Sequence, residues 1–259
     1  SFPPVDNNFM TDKVNFTVVI PARFASTRLP GKPLRLLCGQ PMIQHVYHAA
    51  QQSGAQDVVV ATDDERIAAA VEAFGGDWQL TSDKHQTGTD RIVEVCIKRG
   101  WSDERIIVNL QGDEPLMAAA NLAQVATILA RADSAMATLH KAISADAAQD
   151  PNLVKLVHDQ QGRALYFSRA PIPYQRDDQE PAPAYFGHIG LYAYRVGFLT
   201  TFAALVPTAS EQAEKLEQLR ALEHGYSIYT ELALQPPGPG VDTEQDLARA
   251  EALLQERML

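Results

Sequence analysis

The chain has very little cysteine: Cys38 and Cys96 are the only two in 259 residues. They form no CxxC pair and no metal-ligand spacing. That argues against a disulfide framework and against structural zinc, and reads as free thiols of a reducing compartment. Long apolar runs are also missing. None approaches the ~18 residues that a membrane span needs, and no signal-peptide pattern opens the chain, so a cytoplasmic protein without a membrane partner is expected. Basic charge is scarce: 22 Lys and Arg face 32 Asp and Glu, for a net charge of −10. A general nucleic-acid binder would need the opposite balance. The absence of GxxxxGK[ST] argues against a P-loop kinase. The absence of G-x-G-x-x-G after the first strand argues against a dinucleotide dehydrogenase, and that of H-E-x-x-H against a zinc hydrolase.

Against this background, the alternation of elements stands out. "FTVVI" (16–20), "DVVVAT" (57–62) and "RIIVNL" (105–110) are apolar, β-rich runs, as in strands buried on both faces. Between them, 41–54, 63–76 and 87–100 show helical spacing with start and stop signals, and "WQLT" a short strand. The rhythm predicts an α/β fold with a mostly parallel sheet covered by helices. Farther on, 153–159, 164–169, 189–195 and 227–234 read as strands, 210–225 as one capped helix, and 243–258 as the closing helix. Residues 1–15 read as an extension, with Met10 a start and 1–9 not native. Residues 16–259 read as one domain carrying an inserted arm or subdomain at about 150–195, its proline-rich part at 170–186.

One loop gathers the scarce cations. "IPARFASTRLPGKPL" (20–34) places Arg23, Arg28 and Lys32 at the carboxyl end of the first strand, where open α/β sheets bind ligands. Pro30 and Gly31 bend the backbone, and turn N–H groups form an anion nest. A polyphosphate satisfies these groups together; a solvated basic turn is the plain alternative. Asp113, in "NLQGDEP", falls just past another strand end. Asp242 precedes the last helix, where Thr243 and Asp246 already make a capping pair. Two carboxylates near a basic loop point to Mg²⁺ held between acids and phosphates.

These stretches, with "SDKHQTGTDR", "ALYFSRAPIP", "HIGLYAYR", "LEQLR" and "GVDT", resemble in order the motifs of the 3-deoxy-D-manno-octulosonate (Kdo) cytidylyltransferase family over about residues 16–250. The resemblance implies a Rossmann-like nucleotidyltransferase fold with a dimerisation subdomain. It also implies a homodimer that joins CTP and Kdo into CMP-Kdo and pyrophosphate with Mg²⁺, for lipopolysaccharide synthesis. By motif, Arg23, Lys32, Asp113 and Asp242 are the catalytic set, the two acids being the metal ligands. Ala22, Arg23, Ser26, Lys32, Thr87, Gly88, Arg91 and Gln111 would bind the nucleotide. Gln111, Arg169, His188, Tyr192, Glu217 and Gln218 would line the sugar site. Phe24, Thr87, Asp90 and Glu244 depart from the family's usual tyrosine, serine, glutamate and proline without removing a charge or a metal ligand. A cytidylyltransferase for 8-amino-Kdo or a sialic acid, and a non-catalytic nucleotide-sugar sensor, are the alternatives.

Overall fold

The computed structural model describes residues 14–25, 28–177 and 183–258. Ser26, most of the 1–15 extension and part of the proline-rich arm lie outside them. The first half runs β1 (Phe16–Ala22), a 3-10 turn (Lys32–Leu34), the short ribbon β2 (Leu36–Leu37) and β3 (Gln40–Pro41), then α1 (Met42–Gln52) and β4 (Asp57–Thr62). It continues through α2 (Glu65–Ala73), β5 (Asp77–Leu80), α3 (Gly88–Arg99) and β6 (Ile106–Asn109). The second half comprises α4 (Ala119–Arg131), β7 (Met136–Ile143), α5 (Ala145–Ala148), β8 (Lys155–His158), β9 (Ala164–Ser168) and β10 (Tyr185–Arg195). It closes with α6 (Val196–Ala204), α7 (Ala209–Glu214), α8 (Gln218–Glu223), β11 (Ile228–Leu232) and α9 (Glu244–Met258).

Seven strands lie side by side in the order β11-β7-β10-β6-β1-β4-β5, and β8 and β9 extend from β10. Along that path every pair is parallel except the two made by β10. The expected mostly parallel α/β sheet is therefore present. Alternate residues of β1 serve opposite layers, as the two-residue period of a strand requires. Val18 and Ile20 pack with residues of α1 and α4, whereas Val19 packs with α3, α6 and α8. All three are fully buried, which explains the unbroken apolar run.

The chain leaves β1 for β4 and β5 on one side and returns as β6 on the other. That reversal opens a crevice beyond the carboxyl ends of β1 and β6, the usual ligand position in such sheets. Gly112 lets the two ends close up. A Cβ there would lie 2.9 Å from the Pro21 carbonyl oxygen, too near for any side chain. A separate apolar cluster joins Leu29, Leu37 and Met42 to Leu116, Val241, Leu247 and Ala250. It seats α9 against the basic loop, and so brings residue 242 back to residue 32.

The expected single helix over 210–225 is instead two. Lys215 takes a left-handed conformation (φ 55°) that ends α7. The break lets Leu216 and Leu219 turn inward as buried residues and frees the Glu214 carbonyl, which accepts from Arg169 Nε at 2.7 Å. Arg220 ties the halves together across the bend by bonding Glu211. β10 is also longer than the expected 189–195. Its first half pairs with β8, and a register shift separates Ile189 from Tyr192.

Candidate active site

The crevice at the switch point has a volume of about 690 Å³. Its wall takes Ala22 and Arg23 from the end of β1, Lys32 from the 3-10 turn, Thr87, Gly88 and Arg91 from the start of α3, Gln111 and Asp113 from beyond β6, and Asp242 from before α9. The fold thus brings together every nucleotide-side residue singled out in the sequence except Ser26, which lies outside the described residues.

Lys32 is the centre of charge. Its Nζ donates to Asp113 Oδ2 at 2.8 Å and to Asp242 Oδ1 at 2.9 Å. Arg28 approaches the same Asp242 oxygen at 3.0 Å. Burial pulls the Lys32 ammonium down, but the two carboxylates outweigh it and hold its pKa above the ordinary value. The acids meet because the backbone makes them meet: Val241 N–H donates to the Asp113 carbonyl at 2.9 Å. Asp242 is indeed free of capping duty, since Asp246 takes the Thr243 N–H at 2.9 Å and returns its own N–H to Thr243 Oγ1. Glu244, a departure from the family pattern, forms a two-point pair with Arg35 at 2.6 and 2.8 Å. Arg23 is exposed and makes no ion pair among the described residues.

Thr87 caps α3 in a reciprocal box with Asp90, so the two departures at 87 and 90 work as a pair. Gly88 lies over Pro21, where an added Cβ would come within 3.4 Å of its ring. Arg91 lines the crevice but is a brace rather than a free cation. The residue is 4% exposed, and its guanidinium pairs with Asp63 at 2.8 Å and also donates to Thr81.

Of the sugar-side residues only Gln111 lines this crevice; Arg169, His188, Tyr192, Glu217 and Gln218 sit just after β9, on β10 and at the start of α8, and they are partnered. Arg169 donates to the carbonyls of Glu214 and Pro151, and its N–H to Glu214 Oε2 at 2.9 Å. His188 Nε2 sits 2.9 Å from Thr138 Oγ1. Burial, with His140 nearby, pushes its pKa down to about 3, so the ring is neutral. Tyr192 packs against that ring at 5.3 Å, and burial raises its hydroxyl pKa. Glu217 accepts from Thr89 Oγ1 at 2.9 Å. Burial raises its carboxyl pKa, opposed by that hydrogen bond and by Arg220. Gln218 is buried at the start of α8.

Sequence reasoning missed several groups. Glu214, inside the helix that proved to be two, receives Ser168 Oγ at 2.6 Å as well as the Arg169 backbone. Lys155 is fully buried and holds the carbonyls of Asp150 and Arg169. Neither carries a local motif that would mark it. Glu114 was visible beside Asp113. Burial, then repulsion from Asp113 and Asp242, pushes its carboxyl up to about 7. His85 also lines the crevice, bonded to Glu94.

A family model described as cytidylyltransferase matches residues 17–228. Among curated relatives, a 3-deoxy-manno-octulosonate cytidylyltransferase of Thioalkalivibrio sulfidiphilus is 53% identical over 93% of this chain and 99% of its own length. One from Vibrio parahaemolyticus is 49% identical over 94% of this chain and all of its own. A solved CMP:2-keto-3-deoxy-manno-octonic acid synthetase complexed with CTP superposes with a TM-score of 0.88 at 45% identity, covering 94% of this chain and 99% of that one. A cytidylyltransferase from Leptospira borgpetersenii, at 16% identity and a TM-score of 0.61, shares the fold. A cation loop and two acids at the switch point, a family model over most of the length and relatives about half identical throughout all agree: the chain belongs to the cytidylyltransferases, within the 3-deoxy-manno-octulosonate group.

Proposed function

We propose that this protein transfers CMP from CTP to the anomeric hydroxyl of Kdo, releasing pyrophosphate and supplying CMP-Kdo for lipopolysaccharide synthesis. The observation that carries the reading is the meeting of Lys32 with Asp113 and Asp242 in the switch-point crevice. Arg23, Arg28 and Lys32 receive the triphosphate. Thr87, Gly88 and Gln111 border the nucleoside, and Arg91 braces that wall. Gln111, in the crevice lining, and Arg169, His188, Tyr192, Glu217 and Gln218, outside it, border the sugar acid. Its carboxylate calls for donor groups, which Arg169 supplies.

Asp113 and Asp242 suit a hard divalent cation. Their oxygens converge on one point, now taken by the Lys32 ammonium, and both are part exposed. Among the described residues no three acids, histidines or cysteines gather as a metal cage. A cation held there therefore draws its other ligands from phosphate and water, the habit of Mg²⁺. Bound in this way, Mg²⁺ supplies Lewis-acid polarisation of a phosphate oxygen and charge neutralisation.

The chain's own share is positioning and electrostatics. Lys32 and Arg23 hold the phosphates so that the α-phosphorus faces the sugar wall and stabilise the charge that grows on pyrophosphate. The sugar oxygen forms the new O–P bond as the bond to pyrophosphate breaks in line, and the hydroxyl proton passes to solvent. The negative charge elsewhere on the molecule does not oppose this, because the contact is local and partly shielded from water.

The homodimer is part of the proposal. Leu165, Tyr166 and Tyr174 are exposed large side chains on β9 and the segment after it, inside the arm at 150–195. Sedimentation at micromolar concentration should give twice the chain mass; a monomer would remove this part. The activity is tested by pyrophosphate release with CTP, Mg²⁺ and a panel of Kdo, 8-amino-Kdo, N-acetylneuraminate and no sugar. Release with Kdo alone supports the reading. Release with another acid keeps the chemistry and moves the substrate. Release with none, from protein that binds CTP, overturns it.

A further inference from the structure

His85 lines the crevice beside Thr87 and Gly88, yet it has no part in the reading above. It belongs to the loop between β5 and α3. Its Nε2 is bonded to Glu94 Oε2, inside α3. The same oxygen accepts the Ser82 N–H at 2.9 Å. The other Glu94 oxygen takes the Lys98 ammonium at 2.7 Å. Glu94 is not among the residues that line the crevice. One carboxylate outside the crevice therefore ties two points of the loop, Ser82 and His85, to α3, and it grips the imidazole by a single nitrogen.

That grip decides which nitrogen carries the proton. A backbone N–H only donates, so Glu94 Oε2 is an acceptor for Ser82 and remains one for His85. Burial pushes the Glu94 carboxyl up, but Lys98, the Ser82 N–H and His85 outweigh it and bring its pKa down to about 2. Such a carboxylate has no proton to give. The hydrogen therefore sits on His85 Nε2, and in the neutral ring Nδ1 carries a bare lone pair. Nδ1 has no hydrogen bond among the described residues. The ring thus brings an acceptor to the crevice, in a wall that otherwise holds the donors Thr87 and Arg91. A phosphate or a carboxylate has nothing to give such an acceptor; an amine has.

We propose that His85, held by Glu94, is a specificity-determining residue whose Nδ1 accepts from the exocyclic amine of cytosine and so favours CTP over UTP. Cytosine carries an amine donor where uracil carries a carbonyl oxygen. An acceptor at that position gains a hydrogen bond from the first base and meets a second lone pair on the other, so it both attracts and rejects. Glu94 is the positioning residue: it fixes the tautomer and the plane of the ring. The proposal rests on the reading above that Thr87 and Gly88, two and three residues on, border the nucleoside.

The test is the ratio of the UTP and CTP dissociation constants, measured by calorimetry with Mg²⁺ at pH 8. The parent should prefer CTP. His85→Phe keeps a ring and removes both nitrogens; it should bind CTP about tenfold more weakly, the size of one hydrogen bond, and UTP no worse, so the ratio falls about tenfold. Glu94→Leu frees the ring and should lose at least threefold of the ratio. Glu94→Gln, whose Oε1 still accepts from Ser82 and His85, should keep it, and this variant with His85→Phe carries the test if Glu94→Leu fails to fold. Long-range nitrogen spectra of the parent should place the imidazole proton on Nε2. A proton on Nδ1, a parent that binds both nucleotides equally, or a ratio unchanged in His85→Phe overturns the proposal. So does an equal weakening of CTP and UTP, which would make His85 and Glu94 a structural clip and leave the site reading intact. A parent that binds neither nucleotide removes the site reading and the proposal with it.

Discussion

The crevice wall and a second wall of residues assigned to the sugar, outside the crevice lining, solve opposite problems. The nucleotide wall carries charge near the surface: Lys32, Arg28 and Arg23 face Asp113 and Asp242, and the acids are between a third and a half exposed. Of the residues assigned to the sugar, His188, Glu217 and Arg169 are half-buried, and each is tied to a protein partner: His188 to Thr138, Glu217 to Thr89, Arg169 to Glu214. An ion-paired cluster at a cleft mouth can exchange its partners for a ligand's at small cost. Groups tied to buried partners such as Thr138 and Thr89 give up more, since each partner left unpaired bears its own desolvation cost. The first wall is therefore built to rearrange when a polyphosphate arrives, and the second to keep its shape.

The largest effects should follow from breaking the first wall. Lys32→Ala removes the cation that both acids hold, and turnover should fall by roughly 10²–10³-fold, the cost of losing one preorganised charge contact. Asp113→Asn and Asp242→Asn should act similarly, with melting temperatures close to the parent because neither acid is buried. Near-parent turnover in both would remove the metal assignment. A Lys32→Ala variant in which only the sugar KM moved would place the loop on the wrong substrate.

Breaking the second wall should cost stability first. Glu214→Ala leaves the Ser168 hydroxyl and the Arg169 N–H without their acceptor. A loss of about 1–3 kcal/mol is expected in urea unfolding, together with a raised sugar KM as Arg169 loosens. An unchanged CTP KM in the same variant would sharpen the division between walls; a change in both would blur it.

The contrast also explains what the sequence made legible. β1, β4 and β6 are continuous apolar runs with one possible burial, and "ARFASTRLPGK" holds its cations in one stretch, so strands and phosphate loop could be read directly. Asp242 needed an inference, because only the cluster of Leu29, Leu116 and Leu247 brings it 210 residues back to Lys32. The sugar wall was legible only by resemblance. Its groups come from β7, β9, β10, α3 and α8, and no local spacing marks Glu214 or Thr89. The break at Lys215 was hidden because "SEQAEKLEQLRALEHG" has good helix formers throughout. Tertiary pairing of Glu214 and Arg220 overrode that propensity.

A pH titration separates the walls by another route. His188 has a folded pKa of about 3 and His140 of about 4, both lowered first by burial. The unfolded chain takes up these protons near pH 6.5, whereas the native state refuses them. The associated stability is complete above pH 6.5 and drains as pH falls toward 4 and 3. His188 alone should account for roughly 1–2 kcal/mol by pH 5. Urea midpoints at pH 7.5 and pH 5 should therefore differ less in His188→Gln than in the parent, with His140 keeping part of the slope. An equal difference in both proteins would mean that the imidazole is charged in the fold.

The smallest effect is expected where the two walls share a helix. Thr87 caps α3 through its hydroxyl, while Asp90 returns the bond to the Thr87 N–H. Two residues on, Thr89 reaches across to Glu217. Thr87→Ala removes the cap, and the helix start should lose about 1 kcal/mol. Because α3 begins inside the crevice, that loss should appear as a CTP KM raised a few-fold, with the sugar KM unmoved if Thr89 and Arg91 keep the rest of the helix in place. Arg91, anchored to Asp63, makes that outcome the expected one. Should both KM values rise together, the start of α3 moves as one piece and the walls are mechanically joined there. Should neither rise while stability falls, Thr87 serves the helix alone and the nucleotide wall begins at Gly88.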